Sequence, residues 1–134
     1  MTAVVDTNVV AYYLLNTQAH AEESRLALDR ASTLLAPMHW EAELTNVVWM
    51  AIRGGVLDET DGPVRLGLAK RLGVESVATS TLCHGALLRA LGTGVTVYDT
   101  LFVELAARSR CPLLTFDKAV LRAFPDVAIR PRDF

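Results

Sequence analysis

The sequence predicts an α/β fold, a three-layer α/β/α sandwich around a central, mainly parallel sheet. Residues 1–134 are expected to form one domain. Three observations lead there. Short apolar runs alternate with longer amphipathic segments, the order expected when right-handed crossover helices cover both faces of a parallel sheet. Gly54-Gly55, Gly62-Pro63, Gly73, Gly92 and Gly94 punctuate those segments. The composition is globular, with 51% hydrophobic and 21% charged residues and a net charge of −2 over 134 residues. That balance excludes a disordered chain. The longest apolar runs, Val9–Leu15 and Val47–Ile52, fall far short of the roughly 20 residues needed to span a bilayer, so no membrane partner is expected.

Ala3-Val4-Val5 reads as a first buried strand, stopped at Asp6-Thr7-Asn8. Val9–Leu15 reads as a short helix with Thr7 or Asn8 as its N-cap. Ala19–Ala31 sets Leu26 and Leu28 against Glu and Arg, an amphipathic helix. Thr33–Ala36 is a second strand, ended by Pro37. Met38–Arg53 is a long helix with Leu44, Val47, Val48 and Ala51 on one stripe, closed by Gly54-Gly55. Asp58–Leu72 reads as helical, its start blurred by Gly62-Pro63, and Val74–Ala78 as a short strand. Ser80–Leu91 is a helix closed by Gly92, and its adjacent apolar residues make it a candidate contact surface. Asp99–Arg108 is a helix with Leu101, Phe102, Leu105 and Ala106 apolar. Leu113–Thr115 is a strand, Asp117 opens a short helix to Phe124, and Val127-Ala128-Ile129 is the last strand. Tyr12, Tyr13, Trp40 and Trp49 are large aromatics of the kind enriched at protein contacts, with Trp49 assigned to the core.

In open parallel sheets, sites form outside the carboxyl ends of the strands. Asp6 follows the first strand and Asp117 the fourth, so both belong to that edge. The helix after Thr33–Ala36 starts there too, which puts Glu41 and Glu43 in its first turns. These two point about 200° apart on a helix, so at most one faces a common site. Asp99 opens the helix that leads back into Leu113. Asp6, Glu43, Asp99 and Asp117 thus gather at one rim from distant parts of the chain. Helix capping is the plain alternative for Asp99 and Asp117. Asp6 resists that account, because it interrupts an apolar run where a buried carboxylate needs partners or a metal. Four carboxylates repel one another, and a hard divalent cation such as Mg²⁺ or Mn²⁺ relieves the repulsion through oxygen ligands. No His or Cys falls among these positions, which argues against zinc. Asn8, Asn46 and Thr115 stand at supporting spacings: two after Asp6, three after Glu43 and two before Asp117.

These residues resemble the motifs of the PIN-domain nucleases. Val4-Val5-Asp6-Thr7-Asn8 resembles the first motif. Pro37, Trp40, Glu43 and Asn46 resemble the second, and that spacing favours Glu43 over Glu41. Tyr98-Asp99-Thr100 with Leu105-Ala106 resembles the third, and Leu114-Thr115-Phe116-Asp117 the fourth. Many relatives have alanine where Thr100 stands and tyrosine where Phe102 stands. A chain that is only a PIN domain looks like the VapC-type toxins of toxin–antitoxin pairs. The resemblance implies a metal-dependent endoribonuclease, with Asp6, Glu43, Asp99 and Asp117 as catalytic and metal-binding acids and Asn8, Asn46 and Thr115 as support. It also implies an RNA substrate, a small antitoxin whose tail blocks the acidic cleft, and a homodimer or higher assembly.

Three other readings stand beside this one. The first is a PIN nuclease that processes RNA outside a toxin–antitoxin pair. The second is a silent PIN-like binding module, disfavoured because all four acids are present. The third is a phosphotransfer receiver domain, which needs an acidic pair after the first strand and a Lys after the last. Here Asp6 has no acidic neighbour, and Lys118 directly follows Asp117. Cys83 and Cys111 form no CxxC or zinc-finger spacing. Two free thiols without a visible leader lead to an expectation of cytoplasmic location. With four of the 15 acids assigned to one rim, 13 Lys and Arg face 11 acids elsewhere. The mildly acidic total therefore does not exclude a polyanionic substrate.

Overall fold

The computed structural model describes residues 1–134. Its strands are β1 (Thr2–Val5), β2 (Thr33–Pro37), β3 (Glu75–Val77), β4 (Leu113–Leu114) and β5 (Ala128–Ile129). They form one sheet in the order β3-β2-β1-β4-β5, with every neighbouring pair parallel. The chain builds outward from β1 to β2 and β3, then returns past β1 to β4 and β5. The switch of direction falls between β1 and β4, where Val4 pairs with Leu113 and Val5 with Leu114. Ala3, Val4, Val5, Leu113 and Leu114 are all buried. Strands covered on both faces read as continuous apolar runs rather than alternations, which is why these short segments were recognisable.

The helices are α1 (Thr7–Leu14), α2 (Ala21–Arg30), α3 (Trp40–Arg53), α4 (Asp61–Ala69), α5 (Cys83–Thr93), α6 (Val97–Ser109) and α7 (Lys118–Ala123). The three-layer expectation holds, and the differences are at the ends. α1 begins at Thr7, so Asp6 takes the N-cap position and neither Thr7 nor Asn8 caps the helix. The Asp58–Leu72 helix splits: α4 starts at Asp61, after Asp58 Oδ1 accepts the N–H groups of Thr60 and Asp61, and it ends in a 3₁₀ turn over Lys70–Leu72. α5 runs through Gly92 and stops at Gly94, whose φ of 77° is the left-handed conformation that glycine adopts freely. α6 starts at Val97, with the Thr96 hydroxyl accepting the Asp99 N–H, so Asp99 lies inside the first turn rather than opening it.

α3 corrects one packing expectation. Its buried face is Trp40, Leu44, Val48 and Ala51, spaced one turn apart, while Val47 is half-buried. Trp49 is one step, about 100°, from that stripe. It is 49% exposed, with the Arg53 guanidinium 5.0 Å from its ring. Trp40, not Trp49, is the core tryptophan. On α5, Leu87, Leu88 and Leu91 are exposed. No single helix is long and apolar enough to cross a membrane.

Candidate active site: an acidic rim at the switch of the sheet

Asp6 leaves β1 at the switch point, and its side chain is 6% exposed. Thr115, just beyond β4, donates its hydroxyl to Asp6 Oδ2 at 2.7 Å. Asn8 Nδ2 donates to the same oxygen at 3.3 Å and to Thr115 Oγ1 at 3.4 Å. Both bonds fall on one carboxylate oxygen, Oδ2. The Asp117 N–H donates to Thr115 Oγ1 at 3.0 Å, and the Phe116 N–H donates to Asn8 Oδ1 at 3.3 Å. Asn8 and Thr115 thereby stitch the ends of β1 and β4 into one polar network around Asp6. Parallel pairing of β1 and β4 is what brings residues more than a hundred positions apart into hydrogen-bond range.

The other acids arrive on helices. Glu43, one turn into α3, accepts the Thr7 hydroxyl at 2.9 Å and lies 3.5 Å from His39 Nε2. Asp99 Oδ2 accepts the Thr96 hydroxyl at 3.2 Å. Asp117 caps α7, its Oδ1 accepting the Val120 N–H at 3.0 Å. Every ion pair with an arginine lies elsewhere, on Glu22, Glu23, Asp29 and Glu104. Asn46 is exposed on α3 and stands apart from this network, while Glu41 turns away and accepts the Ser76 hydroxyl at 2.7 Å.

The electrostatics follow from burial without cations. Desolvation is the largest cause pushing the Asp6 carboxyl from its ordinary 3.8 up to about 7, with the Asp99 and Glu43 charges adding to it. The Thr115 hydroxyl and the Thr7 amide oppose the rise and do not cancel it. Asp99 is raised as well, first by burial and then by Asp117, against the Thr96 hydroxyl and His39. The four acids therefore sense one another as a cluster. As placed, no three acidic, His or Cys side chains close into a cage around one ion. The donor set nevertheless suits a hard divalent cation. It consists of carboxylate oxygens, and the most buried carboxyl, Asp6, is raised by burial with no lysine or arginine to offset it.

Three contacting residues escaped the reading of the sequence. Thr7 holds Glu43, and the signal was its place beside Asp6. Thr96 holds Asp99, and the signal was Thr-x-x-Asp at a helix start. His39 precedes Glu43 by one turn, and its Nε2 also meets the Tyr98 carbonyl at 3.0 Å. A carbonyl only accepts, so Nε2 carries the hydrogen. The ring packs on Phe102 at 4.9 Å, and its buried Nδ1 has no partner. His39 thus ties the start of α3 to the start of α6.

The PIN domain family model matches residues 3–127. The chain is 32% identical over 129 residues to Ribonuclease VapC3 of Pyrobaculum aerophilum, covering 93% of this chain and 96% of that protein. It is 30% identical over 122 residues to Ribonuclease VapC3 of Mycobacterium tuberculosis, covering 91% of this chain and 87% of that one. The crystal structure of PAE2754 from Pyrobaculum aerophilum superposes with a TM-score of 0.74 at 20% identity, over 96% of this chain and 83% of the other. That of VapBC2 from Rickettsia felis, bound to a DNA fragment from their promoter, gives 0.68 at 14% identity, over 97% and 98% of the two chains. With that match spanning β1 to the start of β5, and with the acidic rim at its sheet switch, this chain belongs to the PIN domain family.

Proposed function

We propose that this protein is a divalent-metal-dependent endoribonuclease, the toxin of a toxin–antitoxin pair. The observation that carries the nuclease reading is Asp6. It is a buried carboxyl at the sheet switch, coupled to Glu43 and Asp99 and paired with no lysine or arginine. The ribonuclease names of the relatives, and the VapBC assembly in a protein of the same fold, support the rest.

Asp6, Glu43, Asp99 and Asp117 would hold Mg²⁺ or Mn²⁺. When bound, the ion supplies an acidified water and neutralises charge on the phosphodiester. The chain's own residues do the positioning. Thr115 and Asn8 fix Asp6 through one oxygen. Thr7 fixes Glu43 and Thr96 fixes Asp99, so each carboxylate presents a defined oxygen. A cation held there would favour the ionised form of Asp6. Cys83 and Cys111 lie away from the rim, on α5 and ahead of β4, so no thiol nucleophile stands among the acids. The expected products carry a 5′-phosphate and a 3′-hydroxyl. A small antitoxin covering the acids, and a homodimer, complete the proposal.

The test is cleavage of single-stranded RNA by the purified chain in EDTA, Mg²⁺ or Mn²⁺, with the product ends identified. Cation-dependent cleavage that is lost in both Asp6→Asn and Asp99→Asn is expected. Undiminished cleavage in both variants overturns the proposal.

A further inference from the structure

A notch of about 380 Å³ opens beside Asp99, between the α5–α6 turn and α7. Gly94, Thr96, Asp99, Ala119, Arg122 and Ala123 are among its walls. The volume is at the small end of the roughly 300–1,000 Å³ typical of organic-ligand sites. Gly94 takes a left-handed φ of 77° and contributes no side chain. Ala119 and Ala123 contribute only methyl groups. Arg122 is thus the one long side chain in this part of the wall, and the one cation.

Arg122 is also uncommitted. The arginine ion pairs of the chain use Arg25, Arg89, Arg108 and Arg130. Arg30 and Arg65 spend their guanidinium groups on the carbonyls of Phe134 and Leu14. Arg122 does neither. Lys118 lies one helical turn before it on α7, exposed and equally unpaired. α7 therefore presents two free cations along one face, immediately beyond Asp117 and beside Asp99. A strip of free positive charge next to a cluster of acids serves no evident packing purpose. It is what a phosphate chain needs if one of its links is to reach those acids.

We propose that this notch is a binding subsite for a nucleotide flanking the scissile bond of single-stranded RNA, with Arg122 holding the flanking phosphate. The inference rests on the nuclease reading and adds the path of the strand, which leaves the acids over α7. The planar fork of a guanidinium fits two phosphate oxygens at once. The phosphate lies toward Arg122 and the alanine wall, away from the Asp99 carboxylate. The small walls leave room for the ribose. Lys118 adds charge to the same track without shaping the notch.

The experiment measures binding and cleavage separately. A fluorescent single-stranded RNA is titrated with wild type, Arg122→Gln, Arg122→Lys and Ala119→Leu, with anisotropy read over a range of salt concentrations. Cleavage kinetics follow with Mg²⁺. Arg122→Gln is expected to weaken binding and raise KM about tenfold, with kcat within about twofold. The slope of log affinity against log salt should fall by about 0.7, one phosphate contact on a single strand. Arg122→Lys should recover part of the loss, and Ala119→Leu, which fills the notch and keeps the charge, should raise KM with the salt slope unchanged. Arg110→Asn serves as the control, because Arg110 lies at the opposite edge of the sheet and its left-handed backbone suits asparagine. Wild-type affinity and salt slope in Arg122→Gln overturn the subsite and leave the nuclease reading standing. Arg122-dependent binding with no cleavage under any cation overturns the nuclease reading and, with it, the place of the notch beside a scissile bond, leaving an RNA-binding site only.

Discussion

Asp6 and Glu104 are both buried carboxyls, 6% and 8% exposed, and their surroundings are opposite. Glu104 sits on α6, five residues past Asp99. Arg89 from α5 donates to one of its oxygens and Arg108 to the other, each at 2.8 Å. Burial alone would raise this carboxyl, but the two guanidinium groups outweigh it and hold Glu104 below the usual range. The neighbouring helix makes room as well: a Cβ on Gly85 would fall 2.3 Å from the Glu104 carboxyl carbon. Glu23 repeats the arrangement, with Arg130 donating to both of its oxygens and the Arg132 N–H to one. Asp6 receives hydroxyl and amide hydrogens, no cation, and two more negative charges nearby. The neutralised acids tie separate elements together here, and the acids of the proposed site meet no lysine or arginine. Burial does not separate the two classes; the charge of the partner does.

Asp6→Asn is the sharpest way to break that division. RNA cleavage is expected to fall on the order of 10³-fold. The variant should nonetheless be the more stable protein without metal at pH 8. The folded chain holds the Asp6 proton up to about 7 against an ordinary 3.8, so its stability contribution is full in acid and is lost as pH rises through about 7. Removing the charge should recover up to about 4 kcal/mol at pH 8 and almost nothing below about pH 4. Thermal unfolding of both proteins at the two pH values measures the gap. Glu104→Ala should do the reverse, costing about 3 kcal/mol in urea unfolding at pH 7 while kcat per folded molecule stays near wild type. Because Glu104 is held below its ordinary 4.5, that cost should shrink as pH falls through the acid range. Loss of cleavage in folded Glu104→Ala would break the comparison.

Two smaller effects sharpen it. The melting-temperature rise produced by Mn²⁺ should grow between pH 6 and pH 8, because Asp6 must release a proton. Apparent affinity is expected to change by about tenfold per pH unit below about 7. A pH-independent rise would remove Asp6 from the ligand set. Thr115→Val should weaken Mn²⁺ binding about tenfold, through Asp6 and through the Asp117 N–H that the hydroxyl also holds, with a stability cost of about 1 kcal/mol. Calorimetric titration of the cation reads the first number and urea unfolding the second.

The rim was legible in the sequence because each of its acids touches an element boundary. Asp6 ends an apolar run, Asp117 follows one, and Glu43 and Asp99 lie in first turns, so chain order alone assigns the edge. Asn8 and Thr115 were legible from a two-residue spacing. Glu104 was not, since its Arg89 partner is on another helix and only the Arg108 spacing is local. Trp49, assigned to the core, adjoins the Leu44, Val48 and Ala51 stripe, but one residue past Val48 turns its side chain by about 100° toward solvent, whereas Trp40, one turn before Leu44, continues the stripe. The order β3-β2-β1-β4-β5 was equally out of reach, because alternating strands and helices imply parallel pairing without saying on which side of β1 each strand is laid.

The seam between β1 and β4 has a consequence for how the protein comes into being. Asp6 is made more than a hundred residues before Thr115 and Asp117, and β1 has only β2 beside it until Leu113 and Leu114 arrive. A partly synthesised or truncated chain that stops short of Thr115 carries three of the four acids but neither the hydroxyl that orients Asp6 nor the fourth carboxylate. The complete set of acids therefore exists only once synthesis has passed Asp117. The order of synthesis thus withholds a complete acidic rim until β4 and the residues just beyond it are laid beside β1.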